Sequence, residues 1–201
     1  SVNLTEVKYY NFLVGPMAGI GHVIISATGY TGAGGFELYV HNDQAEALWQ
    51  KVFEAGSEFD INPIGLGARD TLRLEMGYCL YGNDINETTS PIEAGLGWIT
   101  KFTKEFTNSH YLKKEKENGP EKKLVAFETI ERGIPRKDYE IYSKENTKIG
   151  IVTSGTMSPS YNKGIGLGYV NSDYSQKDEF IFVKIRDKYI KSKIVKLPFK
   201  A

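Results

Sequence analysis

From Leu124 to Leu197 the chain offers six short runs of β-forming residues, each bounded by turn formers: Leu124–Ile130, Tyr139–Tyr142, Ile149–Thr153, Ile165–Val170, Phe180–Ile185 and Lys193–Leu197. So many short strands at close spacing leave few solutions, a small antiparallel barrel or a sandwich. Gly164, Gly166 and Gly168 alternate with Ile165 and Leu167 inside one of these runs. Their spacing is near that of a dinucleotide-binding turn, but the chain continues into Tyr169-Val170 and no helix opens there. The glycines therefore read as tight backbone within a sheet.

The residues before Leu124 have a different grammar. Val7–Val14 and His22–Ala27 read as strands, with turns expected at Gly15-Pro16 and Gly19-Ile20-Gly21. Phe36–Val40 is a half-buried strand that puts Glu37 on the face opposite Phe36 and Leu38. Asp43 and Glu46 have the spacing of a capping box, and Ala45, Leu48, Trp49, Val52 and Phe53 then form one apolar stripe, up to a stop at Gly56. A shorter helix is expected from Gly67 to Met76, ended by Gly77, with Ala68, Leu72 and Met76 on one side and Arg69 and Arg73 on another. Gly82-Asn83-Asp84 is turn chemistry, and Gly95–Ile99 resumes as a strand. Lys101–Lys123 is mixed charge ending in Gly119-Pro120, a solvated helix with a linker and no ligand role. The expected organisation is thus α+β for residues 1–116, followed by a small antiparallel β-barrel over 117–201.

Acidic and basic residues balance at 25 each, so there is no basic field of the kind that drives nucleic-acid or membrane-surface binding. One cysteine, Cys79, fits a reducing compartment, and three scattered histidines give no metal-ligand spacing. No apolar run approaches the ~20 residues of a membrane helix, and no secretory signal is visible. The chain begins with Ser1 and enters a strand-like run almost at once, so the expectation is a piece of a longer chain.

Several residues carry chemistry. Gly29-Tyr30-Thr31-Gly32-Ala33-Gly34-Gly35 lacks the Lys-Ser/Thr pair of a phosphate cradle and leads into a strand, so it too reads as tight backbone in β structure. Glu37 must face water or find donors, because burying a carboxylate unpaired is costly. It is either a solvent-facing acid or an acceptor fork for paired N–H groups such as the amino-amide edge of a pterin or guanine. Arg69 and Arg73 are either members of an ion network with Asp70 and Glu75 or donors to a ligand carboxylate or carbonyl. Tyr30, Tyr78 and Tyr81 lie in glycine-rich turns, where rings could flank a flat heterocycle or line a core.

The series GYTGAGGFELYV, PIGLGARDTLRLEMGYCLYGNDI, TTSPIEAGLGW, ERGIPRKDYEIY and TSGTMSPSYNKGIGLGYV resembles the aminomethyltransferase family of the glycine cleavage system, the T-proteins, in order from about Ala27 to Phe199. The resemblance implies an enzyme for a tetrahydrofolate-dependent one-carbon transfer. The aminomethyl group on the lipoyl arm of the H-protein passes its carbon to tetrahydrofolate as the methylene form and releases ammonia. Positioning and charge stabilisation would be the protein's contribution. The family's pterin-binding acid falls on Glu37, its folate-contacting arginine on Arg69, its active-site tyrosine on Tyr30, and a further tyrosine on Tyr10 or Tyr9. A family contact just after the Pro-Phe pair, often arginine, falls on Lys200.

The family's essential aspartate belongs to an N-terminal half with no counterpart here. The expectations are therefore a C-terminal portion of a T-protein, no catalytic residue in this chain, one wall of a folate site, and no turnover by the chain alone. The implied partners are the lipoylated H-protein and folate, in a bacterial-type cytoplasm or, for a eukaryotic chain, the mitochondrial matrix. Two alternatives stay open: a folate-binding module without aminomethyl transfer, and a non-enzymatic scaffold. The uninterrupted ERGIPR and SGTMSPS motifs favour the transferase.

Overall fold

The computed structural model describes residues 3–199; Ser1 and Lys200, both singled out above, lie outside them. The chain forms two compact units, Ser1–Leu72 and Arg73–Ala201.

The first unit is a three-stranded antiparallel sheet with a helix. Strands β1 (Phe12–Met17), β2 (Ile20–Ser26) and β3 (Glu37–Tyr39) pair in the order β1-β2-β3. Helix α1 (Ala45–Gly56) supplies Leu48 and Val52 to a core of Ile20, Val23 and Ile25, joined by Leu13, Met17, Leu38 and Val40. The strand expected from Val7 begins only at Phe12, and three further expectations fail here. Gly15-Pro16 is not a turn but lies within β1, where the pairing with β2 shifts between Gly15 and Met17; the reversal falls at Ala18-Gly19, both at positive φ. Asp43 does not cap α1, because one 3-10 turn (Asn42–Gln44) precedes the helix and the Asp43 carboxylate instead meets His41 Nδ1 at 2.8 Å. Trp49 is 58 % exposed and packs on Phe53 with ring centroids 4.7 Å apart, so the aromatic part of the stripe leaves the core to Leu48 and Val52.

Helix α2 (Leu66–Glu75) begins in the first unit and ends in the second. Its buried residues are Arg73, Leu74 and Glu75. Gly95–Ile99 forms successive turns and no strand. Helix α3 (Ser109–Asn118) follows, with Gly119 at φ 81° ending it.

The six strands β4 (Lys122–Thr129), β5 (Glu140–Tyr142), β6 (Lys148–Ser158), β7 (Lys163–Asn171), β8 (Phe180–Ile185) and β9 (Lys188–Val195) close into an antiparallel barrel in the order β4-β7-β6-β5-β8-β9. Closure removes every unpaired strand edge, which the sandwich alternative would have left. Val125, Phe127, Ile141, Val152, Ile181 and Val183 are among its core residues. Fully burying such side chains contributes about 1.5–3 kcal/mol each.

Strand β7 is buried on both faces, and its alternating glycines explain how. A Cβ on Gly166 would lie 2.5 Å from Phe127 Cζ, one on Gly168 2.7 Å from the Ile151 carbonyl oxygen, and one on Gly164 2.3 Å from that of Gly133. Ile165 and Leu167, between them, pack with Ala126 around Leu74 of α2. The ERGIPR segment lies against the same region: a Cβ on Gly155 would lie 2.5 Å from the Pro135 carbonyl oxygen.

A polar hub in the second unit holds residues 73–84 to the barrel. Arg73 Nη1 donates to Asp84 Oδ2 at 2.7 Å and to the Tyr78 carbonyl at 3.2 Å, while Nη2 donates to Ser154 Oγ at 2.9 Å. Asp84 also accepts from Leu80 N, Thr153 and Ser154, and its own carbonyl accepts from the Tyr169 hydroxyl at 2.9 Å. Burial, chiefly, pushes the Tyr169 hydroxyl far above its ordinary range. Glu75 is buried nearby and accepts from Ser158, from Ser160 Oγ at 2.8 Å and from Ser160 N at 3.3 Å. Of the two readings offered for Arg73, the structure therefore realises the ionic one, with Asp84 as partner.

Candidate folate-binding end of the three-stranded sheet

All four candidate residues belong to the first unit, on or against the loop 27–36 between β2 and β3. This loop is not extended β structure as expected. It is a series of bends with Gly32, Gly34 and Gly35 at φ 70°, 75° and 104°. A Cβ on Gly34 or Gly35 would meet nothing within 4 Å, so it is the backbone angle that favours glycine there.

Glu37 opens β3 directly opposite Ser26, and Ser26 is paired across β2 with Phe12. Because side chains directly opposite share a sheet face, Phe12, Ser26 and Glu37 form one row, and Val14, Ile24 and Tyr39 form the next. The inward face carries Leu13, Met17, Val23, Ile25 and Leu38. The row with Glu37 therefore lies on the open face, where Phe12, Val14 and Tyr39 are exposed.

The Glu37 carboxylate has local donors. The Thr28 hydroxyl donates to Oε2 in a short hydrogen bond, and the Tyr39 hydroxyl reaches the same oxygen at 3.5 Å. Thr28 Oγ1 also lies 3.0 Å from Ser26 Oγ. Glu37 is half-buried and already supported by the fold, and among the described residues no donor reaches its other carboxylate oxygen.

Arg69, exposed on α2, stacks its guanidinium over the Tyr30 ring with Cζ 4.6 Å from the centroid. Such a cation–π contact restrains the planar fork while leaving its N–H edge able to donate. Tyr10 takes φ 66°, and its N–H donates to the Ala27 carbonyl at 3.0 Å, which ties it to the start of the same loop. Its ring is 78 % exposed and lies 4.3 Å from the Tyr9 ring. The structure thus joins Arg69 to Tyr30 and ties Glu37 and Tyr10 to the two ends of one loop. Tyr81, by contrast, belongs to the second unit, where its hydroxyl donates to Glu87 at 3.1 Å.

Sequence reasoning missed Thr28, Ser26 and Tyr39. Their relation to Glu37 depends on which residues β2 and β3 place opposite one another, and no spacing along the chain encodes that. Among the described residues there is no cluster of three or more His, Cys, Asp or Glu that could hold a metal ion, and no helix is long and apolar enough to cross a membrane.

Residues 1–104 match the family model described as the GCVT N-terminal domain, and residues 122–200 match the glycine cleavage T-protein C-terminal barrel domain. An aminomethyltransferase of Flavobacterium psychrophilum is 64% identical over 199 residues, covering 99% of this chain and 55% of that relative. One of Bacteroides fragilis is 60% identical over 201 residues, with 99% and 56% covered. The crystal structure of the glycine cleavage system aminomethyltransferase T from Bartonella henselae superposes with a TM-score of 0.88 at 30% identity, covering 98% of this chain and 54% of that one. The chain spans about half the length of the curated relatives it matches.

Proposed function

The chain belongs to the glycine cleavage T-protein family, and from that premise we propose that it forms the folate-holding wall of a tetrahydrofolate-dependent aminomethyltransferase. The observation that carries this reading is the gathering of Glu37, Arg69, Tyr30 and Tyr10 around one glycine-rich loop at the end of an open sheet face. Glu37 accepts N–H bonds from the pterin edge, and Arg69, restrained on Tyr30, offers its donors to a folate carbonyl or carboxylate. Tyr10 and the exposed Phe12, Val14 and Tyr39 of the open sheet face supply ring and aliphatic surface to a flat heterocycle.

Tetrahydrofolate itself supplies the nitrogen nucleophile that takes up the carbon. This chain's residues bind and orient it. The carbon donor is the aminomethylated lipoyl arm of the H-protein, and the setting is the cytoplasm, or the mitochondrial matrix if the chain is eukaryotic. The resemblance assigns the family's essential aspartate to the part of the relatives' length that this chain does not span, so we read the 201-residue chain alone as not turning over. The domain organisation we propose, 1–116 and 117–201, is supported by family matches on either side of 105–121. Compact packing divides the chain earlier, at Leu72/Arg73, because residues 73–84 are pinned to the barrel by the Arg73–Asp84 hub.

Equilibrium titration of the chain with tetrahydrofolate tests the reading. Glu37→Ala and Arg69→Ala should each weaken binding about tenfold or more. Unchanged affinity in both would support the scaffold reading. Aminomethyl transfer by the isolated chain, assayed with aminomethylated H-protein, would overturn the inactivity proposal.

A further inference from the structure

We propose that Thr28 is a positioning residue for Glu37, fixing the carboxylate so that one oxygen is held by the protein and the other faces the ligand. The inference rests on the folate reading for the identity of that ligand, but its structural half does not depend on it. Thr28 follows β2, two residues beyond Ser26, the residue directly opposite Glu37. Its hydroxyl has one proton and two possible acceptors, Ser26 Oγ at 3.0 Å and Glu37 Oε2. The carboxylate is the charged acceptor and the closer one, so the proton goes there. The Ser26 hydroxyl is then oriented to donate to Thr28 Oγ1. The result is a two-hydroxyl relay, Ser26 to Thr28 to Glu37, built across two neighbouring strands.

Both protein donors, Thr28 and the longer contact from Tyr39 at 3.5 Å, converge on Oε2. Among the described residues no donor is recorded at Oε1, which keeps both its lone pairs. A glutamate has three side-chain torsions, and without a tether a half-exposed carboxylate samples several rotamers. Freezing those rotamers before the ligand arrives lowers the entropy cost of binding. The relay also sets the orientation of the carboxylate plane, so that an N–H donor of the ligand meets Oε1 directly. A ligand lacking such a donor gains nothing from the arrangement.

The test is a double-substitution cycle in the 201-residue chain, read by tetrahydrofolate titration. Thr28→Val, which keeps the shape and removes the hydroxyl, should weaken binding about tenfold, while Thr28→Ser should stay within about twofold of the original. On a Glu37→Gln background, Thr28→Val should change affinity by less than about twofold, because the amide no longer offers the charged acceptor. An equal loss on both backgrounds, or no loss on either, overturns the proposal. If the unsubstituted chain fails to bind tetrahydrofolate, the folate reading falls. The positioning role is then decided by ligand-free crystal structures. One Glu37 rotamer in the original chain and in Thr28→Ser, with several in Thr28→Val, supports it, and one shared rotamer in all three overturns it.

Discussion

Arg73 and Asp84, eleven residues apart in the chain, meet as an ion pair at 2.7 Å with side chains 1% and 0% exposed. A pair this deep is stable only with its remaining donors and acceptors satisfied, and here Tyr78, Leu80, Thr153 and Ser154 satisfy them. Removing one partner strands the other charge. Asp84→Ala and Arg73→Ala should each destabilise the barrel unit by about 3–5 kcal/mol in urea unfolding. Arg73→Lys should recover only part of that, since a single ammonium cannot span Asp84, Ser154 and the Tyr78 carbonyl in the same fork.

Glycine substitutions should split by surroundings. Gly150→Ala puts a Cβ 2.0 Å from the Tyr169 carbonyl oxygen, and Gly166→Ala puts one 2.5 Å from Phe127 Cζ. Both should lower barrel stability by about 1–3 kcal/mol or more in thermal unfolding. Gly67→Ala, in α2 with nothing within 4 Å, should be neutral to stabilising by about 0.5–1 kcal/mol.

Cys79 should titrate late. Burial, with a smaller contribution from the Asp84 charge, pushes its thiol from 9.0 up to about 11. Alkylation by iodoacetamide, which needs the thiolate, should therefore be slow at pH 8 and accelerate above pH 10. The raised value also sets a sign for stability. Below pH 9 both folded and unfolded thiols keep their proton, and the contribution is fully present. Between pH 9 and about 11 the unfolded state binds fewer protons, so stability falls as pH rises, a slope that Cys79→Ser should flatten.

The Arg69–Tyr30 contact makes a separable prediction for binding. Tyr30→Phe keeps the ring under the guanidinium and should hold tetrahydrofolate affinity within about threefold. Tyr30→Leu removes the platform and should approach the Arg69→Ala loss. Equal affinities for the phenylalanine and leucine variants would show that the ring does not restrain Arg69.

Much of the second unit was legible because its signals are local. Strands β4, β5, β7 and β8 fall close to the expected runs of β-forming residues, while β6 runs on to Ser158 and β9 begins five residues before Lys193; the glycines of β7 were readable as tight backbone. What escaped was set by distant partners. Gly95–Ile99 looked like a strand but has no strand to pair with, so its glycines serve turns. Asp84 read as a turn residue because the partner that buries it lies on the preceding helix and its other donors lie in β6. Glu37 could be singled out from one strand, but Thr28 could not, since the bond between them requires β2 and β3 to be already aligned.

The alternation of glycine with Ile165 and Leu167 along β7 also governs how the barrel can go wrong. If that strand slid by a single position, Ile165 or Leu167 would arrive where Phe127 and the Ile151 carbonyl now leave room for a hydrogen atom alone. Glycines would meanwhile be turned toward Leu74 and leave it facing a void. Both errors cost energy together, so neighbouring alignments are closed off.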